Sequence, residues 1–297
     1  MFDSNWLWAL FTVIAAASQT VRNATQRELT AKLGTVGATH VRFLFGFPFA
    51  LLFLAGVMLA LGQALPSPPA IYWPWVIVGA LTQIAATALM LAAMNDRSFV
   101  VVYAYIKTEP VQAALFGLVF LGDAVTPWMA ASILIATTGV VAMALKPGTS
   151  SDLNATLLGL AAGAMFALSA VGYRGAILSL ALPSYVMAAT FTLALGLVLQ
   201  SVLLSLYLWL RSPHVLAAIV RAWRPSLFAG FMGALASQFW FLAFALASAA
   251  SVRTLALVEV LFAQAISRFV FKQATAPREA LGLALIVIGV VLLLWAR

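Results

Sequence analysis

Tyr105-Ile106-Lys107-Thr108-Glu109-Pro110-Val111-Gln112-Ala113-Ala114-Leu115-Phe116-Gly117-Leu118-Val119-Phe120-Leu121 sets one carboxylate inside a run that is otherwise mostly apolar. A helix crosses a bilayer with about 20 mainly apolar residues, and a charge at its centre costs at least about 2.5 to 3.5 kcal/mol. Such a residue demands a reason, and its recurrence supplies one. At an offset of 150 residues, Glu109 falls on Glu259, Pro127 on Pro277, Gly139 on Gly289 and Val140-Val141 on Val290-Val291. With a slip of one or two residues, Gly79 meets Gly230 and Arg22 meets Arg174. The sequence therefore reads as a duplicated unit.

Working outward, the whole chain shares the character of that run. Of its 297 residues 64% are hydrophobic and 8% charged, against roughly 25% charged in a soluble domain. Turn chemistry and charges divide it into ten apolar segments, near 5–27, 35–62, 71–94, 98–121, 127–146, 155–179, 184–210, 224–247, 251–272 and 277–296. They are continuously apolar and do not alternate, which excludes a transmembrane β-barrel. The fold class is all-α: a polytopic membrane protein of about ten transmembrane helices. The first unit is 1–146, the second 155–297, and the polar stretch 146–154 separates them. Five spans per unit is an odd number, so the second unit enters the membrane from the opposite side. Inverted repeats of this kind are common in secondary transporters, with the substrate site between the repeats near the midplane.

Other classes find little support. The net charge of +8 comes from 16 Lys and Arg scattered singly against 8 Asp and Glu, which builds no nucleic-acid face. There is no cysteine, and the 2 histidines, His40 and His214, form no zinc motif. No Walker A string or Gly-x-Ser-x-Gly elbow is present, so neither an enzyme nor a cofactor is expected. The amino terminus, with Asp3 and no basic residue before the run from Trp6, reads as the first span and not as a signal peptide.

The segment Thr108-Glu109-Pro110 through Gly122-Asp123, followed by a span ending Thr138-Gly139-Val140-Val141, resembles the fourth and fifth helices of an EamA unit of the drug/metabolite transporter superfamily. Glu259-Val260-Leu261-Phe262-Ala263-Gln264 through Gly289-Val290-Val291 is similar to the same unit, so the resemblance covers essentially the whole chain as two EamA repeats. Two positions depart from the family pattern. The usual Gly-Glu after the fourth helix is Gly122-Asp123 here and Lys272-Gln273 in the second copy, and the proline at Pro110 is Val260 there. The resemblance implies a multi-pass protein of the bacterial inner membrane, similar to YddG-type amino-acid exporters.

Polar residues deep in the segments are the candidates for substrate binding or coupling. They are Glu109, Glu259, Tyr105, Gln112, Gln19, Asn23, Gln83, Trp240, Gln264 and Arg42. Two readings of the glutamates stand side by side: they line the cavity and meet a substrate amino group or a proton, or they are structural and paired with Lys107, Arg42, Arg253 or Arg268. Lys107 and Glu109 are about 200° apart around a helix and cannot share a face, whereas Tyr105 and Gln112 fall on the Glu109 side. Pro110 would free the Ile106 carbonyl, and Pro48 the Leu44 carbonyl. Gly159-x-x-x-Gly163 permits close helix approach.

The function expected is a secondary transporter of small metabolites, exporting amino acids, aromatic or apolar ones included, by alternating access. An importer or exchanger of sugars, nucleotides or organic phosphates is the alternative; an intramembrane enzyme or receptor lacks a catalytic constellation or an outer domain. Its partners are the small-molecule substrate and the lipid bilayer, with no nucleic acid and a possible homo-oligomer. Orientation stays open, because the positive-inside rule places both termini outside the cytoplasm and the family resemblance places them inside.

Overall fold

The structure, a computed structural model, describes residues 6–93, 105–144, 153–269 and 276–295. Continuous apolar segments have no water to satisfy their backbone groups, and helices satisfy them internally. Every regular element among the described residues is accordingly a helix. Six of them are long and apolar enough to cross a membrane, and Glu109–Leu121 and Pro127–Met143 are shorter apolar helices. Leu59 is 85% exposed and Trp295 77%. Such wide apolar exposure suits lipid tails and would promote aggregation in water. The chain is an all-α membrane protein.

The first two segments differ from their expected limits. Helix α1 runs Leu7–Leu44 and is interrupted only at Gly34, at φ 70° and ψ 174°, a backbone region that favours glycine. The chain stays helical through residues 28–33, where a connection is expected. It breaks again at Phe45–Gly46 before α2, Phe47–Leu61. Pro48 therefore sits in the first turn of a new helix, where its missing N–H costs little, and not in the middle of a continuous one.

Then follow α3 (Tyr72–Ala93), α4 (Glu109–Leu121), α5 (Pro127–Ala144), α6 (Leu153–Ser179) and α7 (Tyr185–Arg211). Between the expected segments 184–210 and 224–247 the chain forms a further helix, α8 (Pro213–Arg221), whose Ile219 is buried while Val220 is exposed. Next come α9 (Trp223–Leu246), α10 (Ala249–Leu255), a tight 3-10 turn at Ala256–Val258, α11 (Glu259–Phe269) and α12 (Pro277–Trp295). Segment 251–272 is thus broken in its middle. Tyr103, Arg97, Lys272 and most of the connection 146–154 lie outside the described residues, as does the Arg268 side chain.

Three helix pairs make the most extensive contacts: α3 with α6, α1 with α9, and α5 with α12. On the ten-segment numbering these are spans 3 and 6, spans 8 and 1, and spans 5 and 10. Exchanging the two halves maps the first pair onto the second and the third onto itself. Bare backbone makes the last contact possible, since a Cβ at Gly139 would lie 2.6 Å from the Gly282 carbonyl oxygen. Without a hydrophobic drive between helices in lipid, such close van der Waals packing is a main source of association.

At one end of the bundle a single side chain ties three helices. Arg174 on α6 donates from Nε and Nη2 to the two Asp123 carboxylate oxygens, at 3.2 and 3.1 Å, just beyond α4. Its Nη1 donates to the carbonyls of Phe244 and Ala247 at the end of α9, at 2.6 and 2.7 Å. Asp123 stands where the family resemblance puts a glutamate, and the shorter acid meets the arginine bidentately. Replacing Arg174 with Met strands a carboxylate and two helix-end carbonyls, a loss of about 2 to 4 kcal/mol. The expected outcome is a detergent melting temperature lowered far more by Arg174→Met than by the same change at the exposed Lys32.

Candidate functional site

Both recurring glutamates open a half-helix. Glu109 is the first residue of α4, after a tight turn in which the Thr108 N–H and hydroxyl both donate to the Tyr105 carbonyl, at 3.1 and 2.6 Å. Glu259 is the first residue of α11, after the 3-10 turn. Pro110 explains the first break, since it cannot continue a helix begun upstream. Val260 stands in its place in the second, so the second break has no proline to cause it. A carboxylate at a helix N-terminus meets the positive end of the peptide dipoles, which favours an acidic residue at each break. Gly163 on α6 makes room for the first one: a Cβ there would meet the Ile106 carbonyl at 3.1 Å and Gln112 Oε1 at 3.3 Å. That glycine serves packing within the chain.

The glutamates are paired crosswise between the two halves. Glu109 Oε1 lies 2.8 Å from Arg253 Nε, and Glu259 is ion-paired with Lys107. Each carboxylate thus takes its cation from the opposite half. Arg253 is further held over the rings of Trp240, at 4.8 Å, and Phe244, at 5.3 Å, where the electron-rich ring faces attract a cation. Gln19 bridges the second pair to the aromatic wall. Its Nε2 donates to Glu259 Oε2 at 3.3 Å, and its Oε1 accepts from Trp240 Nε1 at 3.2 Å.

Between these pairs lies a chamber of about 30 Å³, room for one or two waters and too small for a metabolite. Of the residues singled out from the sequence, Gln19, Asn23, Arg42, Gln83, Glu109 and Trp240 line it. Glu259 stands behind Lys107, which lines it too. Gln83 also accepts from Gln200 Nε2 at 2.9 Å, a polar link to α7.

Three others lie elsewhere. Gln112 donates to Thr108 Oγ1 and to the Leu160 carbonyl, so it fastens α4 to α6. Tyr105 gives its carbonyl to the turn, and Gln264 donates to Glu279 on α12 at 3.4 Å. Tyr105 does not share a helical face with Gln112, because no helix runs continuously from 105 to 112. The sequence reading left out Arg22, which is 2% exposed and lines the chamber. It lies three residues from Gln19 and adjacent to Asn23, to whose Oδ1 it donates at 2.7 Å. Arg253, one of the pairing partners expected from the sequence, is 8% exposed.

No curated protein matches the sequence. A crystal structure described only as that of a protein superposes with a TM-score of 0.67 over 98% of this chain and 96% of its own, at 17% identity. That likeness is one of fold alone. The EamA-like transporter family matches residues 6–145, the span that carries α1 to α5, the first helix break and the Glu109 end of the chamber. The likeness over residues 6–145 is to a family of membrane transporters.

Proposed function

We propose that the protein is a secondary transporter that moves small metabolites by alternating access around this chamber, and that it exports amino acids in the manner of the YddG type from a bacterial inner membrane. The observation that carries the proposal is the meeting of two helix breaks, headed by Glu109 and Glu259, at one buried polar chamber between the halves. Broken helices at midplane are where transporters of inverted-repeat build hold substrates. We infer in the same way that residues 155–297 form the second, inverted copy of the unit; the equivalent breaks and the half-exchanging helix pairs support it.

The crossed ion pairs supply a mechanism. A substrate amino group entering the chamber competes with Arg253 for Glu109 or with Lys107 for Glu259, and Trp240, Phe166, Met90 and Ile106 offer an apolar side to the rest of the molecule. Rocking of one half on the other separates each carboxylate from its cation, which is unfavourable unless the substrate replaces the lost partner. The chamber therefore opens with cargo in preference to opening empty. Arg211, Arg221 and Arg224 are exposed around α8 and Lys32 is exposed on α1; with Arg22 and Arg253 buried, we place the α8 end of the bundle in the cytoplasm.

Purified protein in liposomes is expected to give saturable flux of labelled amino acids; absence of flux across amino acids and other metabolites of every charge would sink the transport reading. Lys107→Met alone strands Glu259, a cost of about 3 to 5 kcal/mol, so folded yield falls. Lys107→Met combined with Glu259→Gln is expected to recover yield while flux stays low; a double variant with normal flux would make the pair purely structural. Alkaline phosphatase fused to the carboxyl terminus is expected to be active, and an inactive fusion with active fusions beside α8, at residue 212 or 222, would reverse the orientation.

A further inference from the structure

Helix α8 joins two membrane spans. The apolar helix α7 ends at Arg211 and the next, α9, begins at Trp223, so the 9 residues Pro213–Arg221 lie where hydrocarbon meets water. One face of α8 is committed to the protein. Ile219 is buried in a cluster with Ala38 and Val41 of α1, Leu208 of α7 and Ala229 of α9, and Val215 and Leu216 pack against the same cluster. A Cβ at Gly37 would stand 3.0 Å from Val215 Cγ1, so α8 sits close on α1.

The other face is uncovered and carries two kinds of side chain. Arg221 is exposed, and so are Arg211 just before α8 and Arg224 just after it. Next to them in the chain Leu210 and Val220 are exposed, with Trp209 65% and Trp223 51% exposed. The Arg224 guanidinium carbon lies 5.4 Å from the centre of the Trp223 ring, which holds the charge against an aromatic side chain of the kind that sits at headgroup level. Residues 153–258 include no Asp or Glu, and none of the three arginines pairs with a carboxylate among the described residues.

Exposed arginines alone would suit any anion in solution. Exposed tryptophan, leucine and valine among them suit hydrocarbon instead, and the two together match a molecule with phosphate at the surface and acyl chains below. Guanidinium groups receive phosphate through paired N–H bonds, and basic sites beside membrane spans attract anionic lipid headgroups. We propose that α8 and the adjoining ends of α7 and α9 form a binding site for an anionic phospholipid. Arg221 and Arg224, three residues apart across the α8–α9 junction, take the phosphate. Arg211, at the other end of a helix about 13 Å long, adds attraction at longer range, and Trp223 and Val220 meet the upper part of the acyl chains. A zwitterionic lipid brings its own cation beside its phosphate and gains less. Because α8 packs on α1, α7 and α9, lipid held there braces all three. The inference concerns the membrane surface at α8 and does not depend on what the chamber carries.

The test titrates the full-length protein in neutral detergent with phosphatidylglycerol or phosphatidylcholine and follows its melting temperature. Phosphatidylglycerol is expected to raise it and phosphatidylcholine to leave it unchanged, with the rise shrinking as salt is added. Each arginine near the surface is expected to contribute roughly fivefold in affinity, so Arg221→Gln combined with Arg224→Gln is expected to weaken phosphatidylglycerol binding at least tenfold. The lipid-free melting temperature of that variant stays that of the parent, because both side chains are exposed. Arg221→Lys combined with Arg224→Lys keeps the charges and is expected to recover most of the affinity. Brominated phosphatidylglycerol is expected to quench tryptophan fluorescence, and Trp223→Phe to lose part of that quenching. Phosphatidylcholine acting as well as phosphatidylglycerol, or the Gln double variant binding phosphatidylglycerol like the parent, would overturn the proposal. So would glycerol phosphate in solution giving the same rise, since the patch would then be a site for a soluble anion and not for a lipid.

Discussion

The arrangement hangs on the cost of putting charge into hydrocarbon. An isolated ion there is so unfavourable that each buried carboxylate must meet a cation, and the cation must come from within reach of a short side chain. Glu109 finds Arg253 and Glu259 finds Lys107, and each pair joins opposite halves of the chain. The ion pairs therefore decide how the two halves sit together at the centre of the bundle. Extensive packing of α5 on α12, α3 on α6 and α1 on α9 surrounds that centre without being able to replace it. Van der Waals contact between small residues is available at many relative positions, whereas a carboxylate and its cation tolerate few.

The helix breaks follow from the same constraint. A continuous helix through Lys107 and Glu109 would aim the two side chains about 200° apart, and only one could reach the chamber. Interrupting the helix between them frees their directions, so that Lys107 and Glu109 both line it. The backbone groups released by the break are answered locally, by the Thr108 N–H and hydroxyl on the Tyr105 carbonyl. Non-helical backbone at membrane depth is tolerable where it is buried in protein or lines a cavity, and Gly163 provides the bare surface against which this stretch is buried.

Most of the fold was legible because it is written in composition. Continuous apolar runs punctuated by Pro66-Ser67-Pro68-Pro69 or by Gly122-Asp123 admit few other structures, and the helices fall close to those segments. What escaped depended on backbone detail. Helix α1 continues past the polar residues 22–32 because a helix tolerates them where a hydropathy reading sees a loop, and α8 is too short and too amphipathic to stand out from a connection. At the site, the glutamates were conspicuous through their recurrence. Arg22 was not, since an arginine near the end of an apolar run looks like an interfacial charge until the opposing helix is known. The second break was also hidden: nothing in Ala256-Leu257-Val258 signals a 3-10 turn, and no proline marks it.

The two halves are alike in where they break and unlike in what they contribute. The carboxylates occupy equivalent positions, but the cations do not. In the first half Lys107 is two residues before its own Glu109, and the equivalent of Lys107 in the second half is Leu257; Arg253 lies six residues before Glu259, and its equivalent in the first half is Tyr103. A carrier made of two identical inverted halves would hold its two end states at equal energy, because exchanging the halves turns one into the other. Here the exchange would set a lysine against an arginine held between Trp240 and Phe244. A compact, strongly hydrated ammonium is released to water more readily than a guanidinium stacked on aromatic faces. On the alternating access proposed above, the two pairs part with unequal ease, and the divergence of the cations biases which side opens first.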